Sequence, residues 1–380
     1  MIEKKLSDYI DINPATKLEK GKCYPFVEME NIVVGIKRPR TENVLIFTGQ
    51  SCSKFKPNDT LMARITPCLE NGKVAKYSNG NAGFGSTEFI VFRGKSGLAD
   101  DDYVYYLAKS QYIRDMAINS MTGASGRQRA DAKFIGKIKW NFPSPNVQTK
   151  IASILSAYDD LIENNNKRIK ILEQMAENLY KEWFVRFRFP GHETAEFENG
   201  IPKGWEIRRL DKVSKLSAGG DAPKDFSLVQ SKEYPIPIYS NGIVNDGLYG
   251  YCKKPTRTAK SITISARGTV GFVCLRFQPY MPIVRLVSIE PKNESLDVFY
   301  LYYYFKENSI EGYGTSQQQI TIPYLSKKKI LVPNINLMEK FGIYIDKLFE
   351  NINALEEKNK NLIKQRDLLL PRLMSGKLEV

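Results

Sequence analysis

The sequence is short of the residues that carry most enzyme chemistry. It has one histidine and five cysteines. Cys23, Cys52, Cys68, Cys252 and Cys274 are scattered, with no CxxC pair. That spacing argues against a zinc site or a disulfide frame and fits a reducing compartment. His192 sits beside Gly191 in a linker, poorly placed for a nucleophile–histidine arrangement. No apolar stretch approaches the roughly 20 residues of a membrane helix. The opening MIEKKLSDYI lacks the apolar centre of a signal peptide, so the expected compartment is the cytoplasm. No glycine-rich cofactor loop follows a strand. Arg93-Gly94-Lys95-Ser96 resembles the end of a phosphate-binding loop, but Phe89 stands where that loop needs glycine. Asp11-Ile12-Asn13-Pro14-Ala15 carries only half of an adenine-methyltransferase Asn-Pro-Pro-aromatic motif. Glu290-Pro291-Lys292 has the Glu-x-Lys spacing of many nucleases, a tripeptide common by chance. The sequence reads as a binding protein.

What is present in excess is positive charge and repetition. The 380 residues carry a formal net charge of +14, which points to a polyanion partner, most often nucleic acid. An inert basic surface is the bland alternative. Ile151, Leu155, Tyr158, Ile162, Asn165, Ile169, Leu172, Ala176, Leu179 and Trp183 step alternately by four and three, the spacing of a coiled-coil seam. Phe341, Ile345, Leu348, Ile352, Leu355, Asn359, Leu362, Arg366, Leu369 and Leu373 repeat it at a constant offset of 190 residues. The offset extends upstream: Gln128 meets Gln318, Phe134 meets Tyr324, Lys137 meets Lys327, Lys139 meets Lys329 and Pro143 meets Pro333. Farther upstream, Tyr103-Val104-Tyr105-Tyr106 resembles Phe299-Tyr300-Leu301-Tyr302 at a drifted offset, and beyond that the halves hardly match.

The spacing predicts helices over roughly 147–185, with Asn146 as N-cap, and 336–370, where Pro371 should end or kink the second. They could pair with each other, dimerise or recruit partners. Pairing within the chain under a pseudo-two-fold axis would be antiparallel and would put the variable domains at opposite ends of a rod. Asn165, Asn359 and Arg366 either fix the register from buried seam positions or lie off the seam in solvent. The charged outer faces are either solvated or a partner surface. Strands are expected at Val33–Ile36, Val44–Phe47, Phe89–Phe92, Ile138–Phe142, Pro237–Tyr239, Ile262–Ser265, Gly271–Leu275 and Val284–Ile289. Short aromatic helices are expected at Tyr103–Ser110 and Phe299–Phe305, and Met121–Arg129 reads as an exposed, flexible basic loop.

Candidate DNA-binding residues lie on polar loops of both halves. The first half offers Arg64, Thr66, Lys73, Ser86, Thr87, Ser125, Arg127, Gln128 and Arg129. The second offers Ser240, Asn241, Arg267, Thr269, Ser316, Gln317, Gln318 and Gln319. Arginine reads guanine bidentately, glutamine and asparagine read adenine, and Ser, Thr and Lys hold phosphates.

Several runs then resemble one family, the specificity subunits of type I restriction–modification systems. They are Asn141-Phe142-Pro143-Ser144-Pro145 with the helix from Ile151 to Asn165, and Leu179 to Phe187. The others are Ile201-Pro202-Lys203-Gly204-Trp205-Glu206, Ile264 to Gly271, and Leu368 to Gly376. The resemblance covers essentially the whole chain. It implies an α+β fold: two α+β target recognition domains separated by two long helices pairing as an antiparallel coiled coil, with an internal repeat. The implied division is 1–146 and 204–335 for the domains, 147–186 for the first helix, 187–203 for a linker and 336–380 for the second helix and tail. It implies that each domain reads half of a split double-stranded DNA target, while the helices set the gap and dock two methyltransferase subunits. Two translocase–nuclease subunits complete the complex. S-adenosylmethionine, ATP and magnesium then belong to those partners, and this chain holds no metal, catalytic residue or cofactor of its own. The first domain departs from the pattern by lacking the Pro-x-Gly-Trp opening seen at Pro202–Trp205. The repeat further suggests that the tail, Gly376–Val380, packs beside the first domain. Competing readings are a stand-alone DNA-binding regulator dimerising through its helices and a nuclease using Glu290 and Lys292.

Overall fold

A computed structural model describes residues 3–124, 126–258, 260–292, 296–308, 310 and 319–380. The chain forms two compact units, residues 1–169 with 354–380, and residues 170–353. The C-terminal segment is therefore part of the first unit.

The first unit runs β1 (Lys4–Lys5), α1 (Leu6–Tyr9), β2 (Ile10–Ile12), β3 (Cys23–Val27), β4 (Val44–Ile46), β5 (Ser53–Phe55), β6 (Thr60–Ala63), β7 (Val74–Lys76), β8 (Gly83–Gly85), β9 (Phe89–Gly94), α2 (Asp101–Lys109), α3 (Gln111–Asn119), α4 (Ala132–Lys137) and β10 (Lys139–Trp140). The long helix α5 (Pro145–Tyr180) follows. One sheet has the order β2-β9-β6-β7, a second the order β4-β3-β8-β5, and β1 pairs with β10 in a ribbon. Helix α2 starts where the Asp100 carboxylate accepts from the N–H groups of Asp102 and Tyr103, each at 2.9 Å. Its Tyr103, Val104, Tyr105, Tyr106 and Leu107 are buried in the core of this unit. Each fully buried ring or aliphatic side chain contributes roughly 1.5–3 kcal/mol.

The second unit runs β11 (Phe197–Glu198), β12 (Ile201–Pro202), β13 (Glu206–Arg209), α6 (Leu210–Val213), β14 (Ser214–Ala218), β15 (Ile236–Tyr239), β16 (Leu248–Cys252), β17 (Ser261–Ser265), β18 (Val273–Arg276), β19 (Met281–Pro282), β20 (Leu286–Pro291), α7 (Val298–Glu307), α8 (Ile322–Lys327), β21 (Lys329–Val332) and α9 (Ile335–Met374). Its sheets have the orders β14-β20-β17-β18 and β16-β15-β19, with a β13–β21 ribbon. Its four-stranded sheet and its ribbon follow the topology of the first unit. A parallel pairing recurs as well, β3 with β8 and β15 with β19.

Within each unit a stretch of α5 lies antiparallel to a stretch of α9. In the first, Ile151, Ala152 and Leu155 share a core with Leu370, Leu373 and Met374. In the second, Ala176, Tyr180, Trp183 and Phe184 share one with Phe341 and Ile345. The polar seam residues are buried, so the solvated alternative fails: Asn165 is 4% exposed, Asn359 7% and Arg366 1%. The Asn165 side-chain amide donates to Asn359 Oδ1 at 2.8 Å, and Asn359 donates to Asn166 Oδ1 at 2.8 Å. Arg366 pairs with the buried Asp159, which also accepts from the Tyr106 hydroxyl. Asp159 lies one position beside the predicted seam and was missed.

Three local expectations change. Val33–Ile36 forms a turn rather than a strand, because Ile36 N–H closes back on the Val33 carbonyl at 3.1 Å. The first helix begins at Pro145, whose fixed φ and missing N–H suit a first turn, so Asn146 is inside the helix. Its last turn, Lys181–Val185, is π-helical. In α9, Pro371 does not end the helix, which reaches Met374. The proline removes one donor, while the buried Leu370, Leu373 and Met374 anchor the final turn. The tail packs where the repeat suggested, with Val380 against the first unit's core. Among the described residues no helix is long and apolar enough to cross a membrane.

Breaking the buried Asp159–Arg366 pair with Arg366→Met is expected to lower stability by about 3–5 kcal/mol, because the carboxylate is left uncompensated. The double change Asp159→Leu with Arg366→Met should recover most of the loss; denaturant unfolding of both variants measures this. Asp297 caps α7 by accepting from Phe299 N–H at 2.7 Å. Burial pushes its carboxyl up to about 6, against the opposing hydrogen bond from Phe299. A carboxylate raised in the fold loses stability as pH climbs from its unfolded value through 6. Asp297→Asn retains a capping oxygen and should raise the melting temperature at pH 7, with the gain vanishing near pH 4.

Candidate nucleic-acid interface

In the first unit, backbone bonds gather three separate stretches on one rim. Arg64 N–H, just past β6, donates to Glu88 O at 2.9 Å, and Ala130 N–H donates to Arg64 O at 2.8 Å. Thr66 N–H donates to Gln128 O at 3.0 Å, while Thr122 and Arg129 exchange bonds of 3.1 and 2.9 Å. The loop around Arg129 is thus pinned at its base as a narrow hairpin, where the sequence suggested a flexible one. Arg64, Thr66, Ser86, Thr87, Arg127, Gln128 and Arg129 therefore come together. Arg127 and Thr87 are exposed.

The Arg129 guanidinium forks onto the Glu88 carboxylate, with Nη2 at 2.7 Å. Hydrogen bonding to Glu88 holds the guanidinium pKa above its usual value. Glu88 was missed by sequence reasoning, which passes over carboxylates when looking for anion-binding groups. Its position directly after Ser86-Thr87 was the available signal. Ser86 Oγ accepts from Glu88 N–H at 3.2 Å and shapes that turn. Arg64 Nε and Thr66 Oγ1 are buried without a hydrogen-bond partner among the described residues. Arg64 and Thr87 also line a cleft with Asn13, Thr16, Ser53 and Lys54. Lys73 is placed differently: its amine donates to Met29 O at 2.7 Å and ties down the neighbouring turn.

The second unit repeats one tie of this rim and carries other side chains around it. Ile320 N–H donates to Ala266 O at 3.0 Å, the counterpart of Ala130 to Arg64. Arg267 donates through Nε and Nη2 to Gln319 Oε1 at 3.1 and 2.8 Å. Asn241 Nδ2 donates to Arg267 O at 2.8 Å, and Thr269 Oγ1 donates to Asn241 O at 2.6 Å. Asn241, Arg267, Thr269 and Gln319 thus form one cluster. Ser240, beside it, directs its hydroxyl to Gly247 O at 3.3 Å. Gly268 turns the chain at φ +76, with Asn241 Nδ2 2.9 Å from where a Cβ would sit. Ser125, Ser316, Gln317 and Gln318 lie outside the described residues.

Glu290 and Lys292 serve the fold. Glu290 lies 3.6 Å from Arg257 and 4.0 Å from Lys215, and Lys292 Nζ donates to Asp211 O at 2.6 Å. Among the described residues no group of three or more His, Cys, Asp or Glu side chains could hold a metal.

Comparison with known proteins matches residues 3–174 and 202–365, separately, to the type I restriction modification DNA specificity domain. The chain is 30% identical over 312 residues to the type I restriction enzyme MjaIX specificity subunit of Methanocaldococcus jannaschii, covering 75% of this chain and 71% of that one. It is 25% identical over 418 residues to the HindI specificity subunit of Haemophilus influenzae, covering 88% and 90%. The crystal structure of a type I restriction–modification S subunit from M. genitalium shares the fold, with a TM-score of 0.59 over 98% of this chain and 95% of that one at 18% identity.

Two substitutions separate scaffold from surface on this rim. Gly268→Ala should cost about 1 kcal/mol or more through its positive φ. Glu88→Gln, which weakens a solvent-screened ion pair, should cost less than the glycine change. Thermal melts of the two variants are the check, and the reverse ranking would contradict the geometry.

Proposed function

The chain belongs to the type I restriction–modification specificity subunits, and from that premise we propose that each of its two α+β units reads one half of a split DNA target. One observation carries this reading. A backbone tie of the rim recurs in both units, Ala130 to Arg64 and Ile320 to Ala266, and the side chains around it differ: Arg129 on Glu88 in one, Arg267 on Gln319 in the other. Two sites on one framework with different polar lettering suit two half-sites of different sequence. Arginine would read guanine in the major groove, glutamine and asparagine adenine, and hydroxyls would hold phosphate. The present partners of the arginines orient the guanidinium groups before binding and are exchanged for base edges.

The subunit works with DNA and other subunits. Two methyltransferase subunits dock on the outward helix faces, and two translocase–nuclease subunits join for cleavage. S-adenosylmethionine, ATP and magnesium are used by those partners in the cytoplasm, and this chain contributes recognition without catalysis. Adenines would be flipped into the methyltransferases, since that chemistry cannot reach a stacked base. The regulator reading draws no support from the relatives.

Co-purification with neighbouring subunits, followed by mapping of methylated adenines, tests the proposal. Arg267→Ala should relax one half-site only, by about 1–3 kcal/mol of discrimination at one base pair, and leave the other unchanged. Equal relaxation of both half-sites would refute the division of labour. Inserting one helical turn of four residues into both α5 and α9 adds about 6 Å, close to two base-pair steps of roughly 3.4 Å. The preferred gap between half-sites should lengthen accordingly in methylation maps.

A further inference from the structure

The rim diverges between the halves, but the surface immediately after it does not. Phe134 and Tyr324 occupy the same place on α4 and α8 and are 38% and 37% exposed. Lys137 and Lys327 end those helices, and Lys139 and Lys329 open the strands that follow. All four lysines are exposed. Among the described residues none of the four enters an ion pair. The helix dipole accounts for a lysine at the end of α4 or α8. It does not account for the strand positions.

In the first unit Lys139 lies directly across the ribbon from Lys5, and in the second Lys329 lies directly across from Arg209. Like charges facing each other across a ladder destabilise it. The same like-charge pairing stands in both halves, although their recognition loops have diverged. In the second unit Asp211 holds Arg209 at 2.6 Å, and in the first no carboxylate among the described residues pairs with the Lys5 amine. Four exposed lysines repeated at the same places, with the cross-strand cost left uncompensated in the first unit, fit a site that is completed by an anion.

The partner must be common to both halves, since the residues are. Base edges differ between half-sites; the phosphate backbone does not. We propose that Lys137 with Lys139, and Lys327 with Lys329, which follow each reading rim in the chain, form a duplicated phosphate clamp that grips the DNA backbone, with Lys5 and Arg209 completing it. Phe134 and Tyr324 present rings of a kind that can lie against deoxyribose. The clamp rests on the DNA-recognition reading and adds a sequence-independent component to it.

The test is made on the full chain assembled with its partner subunits. Lys137, Lys139, Lys327 and Lys329 are changed together to glutamine, and in a second variant to arginine. Affinity for a random-sequence duplex and for the duplex carrying the mapped target is followed against salt. The glutamine variant should weaken both duplexes by a similar factor and keep their ratio. The slope of log affinity against log salt should flatten by about 0.9 for each phosphate that is no longer neutralised. The arginine variant should behave as wild type. The glutamine variant should melt no lower than wild type, because cross-ribbon repulsion is relieved. An unchanged affinity and slope, with target selection intact, overturns the clamp and leaves the proposed function standing. Loss of methyltransferase co-purification with an unchanged slope overturns it too, assigning the surface to a protein partner. A wild-type complex that selects no duplex defeats the recognition reading itself.

Discussion

The first unit depends on a charge buried in its helix seam. Arg366 is 1% exposed, and its guanidinium reaches Asp159, the Gly35 carbonyl at 2.8 Å and Asp367 at 2.9 Å. Asp159 in turn accepts from Tyr106 on α2. A buried ion pair is weak evidence for stability, since desolvation opposes its attraction, but it is intolerant of wrong partners. Here it joins α5, α9, the turn after Val33 and α2 in one network. Lys37 extends it by donating to Ser156 at 2.7 Å and pairing with Asp102 at 2.6 Å. The domain, the helix and the C-terminal segment can therefore satisfy their charges only in one mutual register.

The repeat makes that choice clearer. At the 190-residue offset, Asp159 corresponds to Phe349, Asn165 to Leu355, Asn359 to Ile169 and Arg366 to Ala176. The second unit solves the same packing problem with rings: Phe349 lies 4.4 Å from Phe299 and 5.8 Å from Phe277 between centroids. If α5 paired antiparallel with another α5, Asp159 would face an alanine; if α9 paired with another α9, Arg366 would face a phenylalanine. Each self-pairing strands a buried charge. Polar seam residues thus select the heterologous pairing, at some cost in stability.

The domains show the complementary behaviour. Their four-stranded sheets and a parallel pairing recur, though their sequences hardly match upstream of the aromatic helices. A sheet asks only for alternation and a buried face, which many residue choices satisfy. A recognition loop asks for particular side chains and can therefore change without disturbing the framework, because backbone hydrogen bonds hold the rim in place. That is how one scaffold can present Arg129 on Glu88 in one unit and Arg267 on Gln319 in the other.

Legible in the sequence alone were the two long helices, their 190-residue repeat, most of the seam residues and the existence of two α+β halves. These follow from periodicity, which is local and survives divergence. The sequence also located most of the polar loops, since Gly, Ser, Asn and Gln mark them. Which seam polars are buried was not legible there, because burial depends on the opposing helix; Asp159 became visible only opposite Arg366. The tertiary structure placed Pro371 inside a helix, because the packing of Leu370, Leu373 and Met374 in the core outweighs a local preference. It sent Lys73 to a backbone carbonyl and brought Glu88 to Arg129. Those assignments join residues dozens to hundreds of positions apart, and no local pattern encodes such distances.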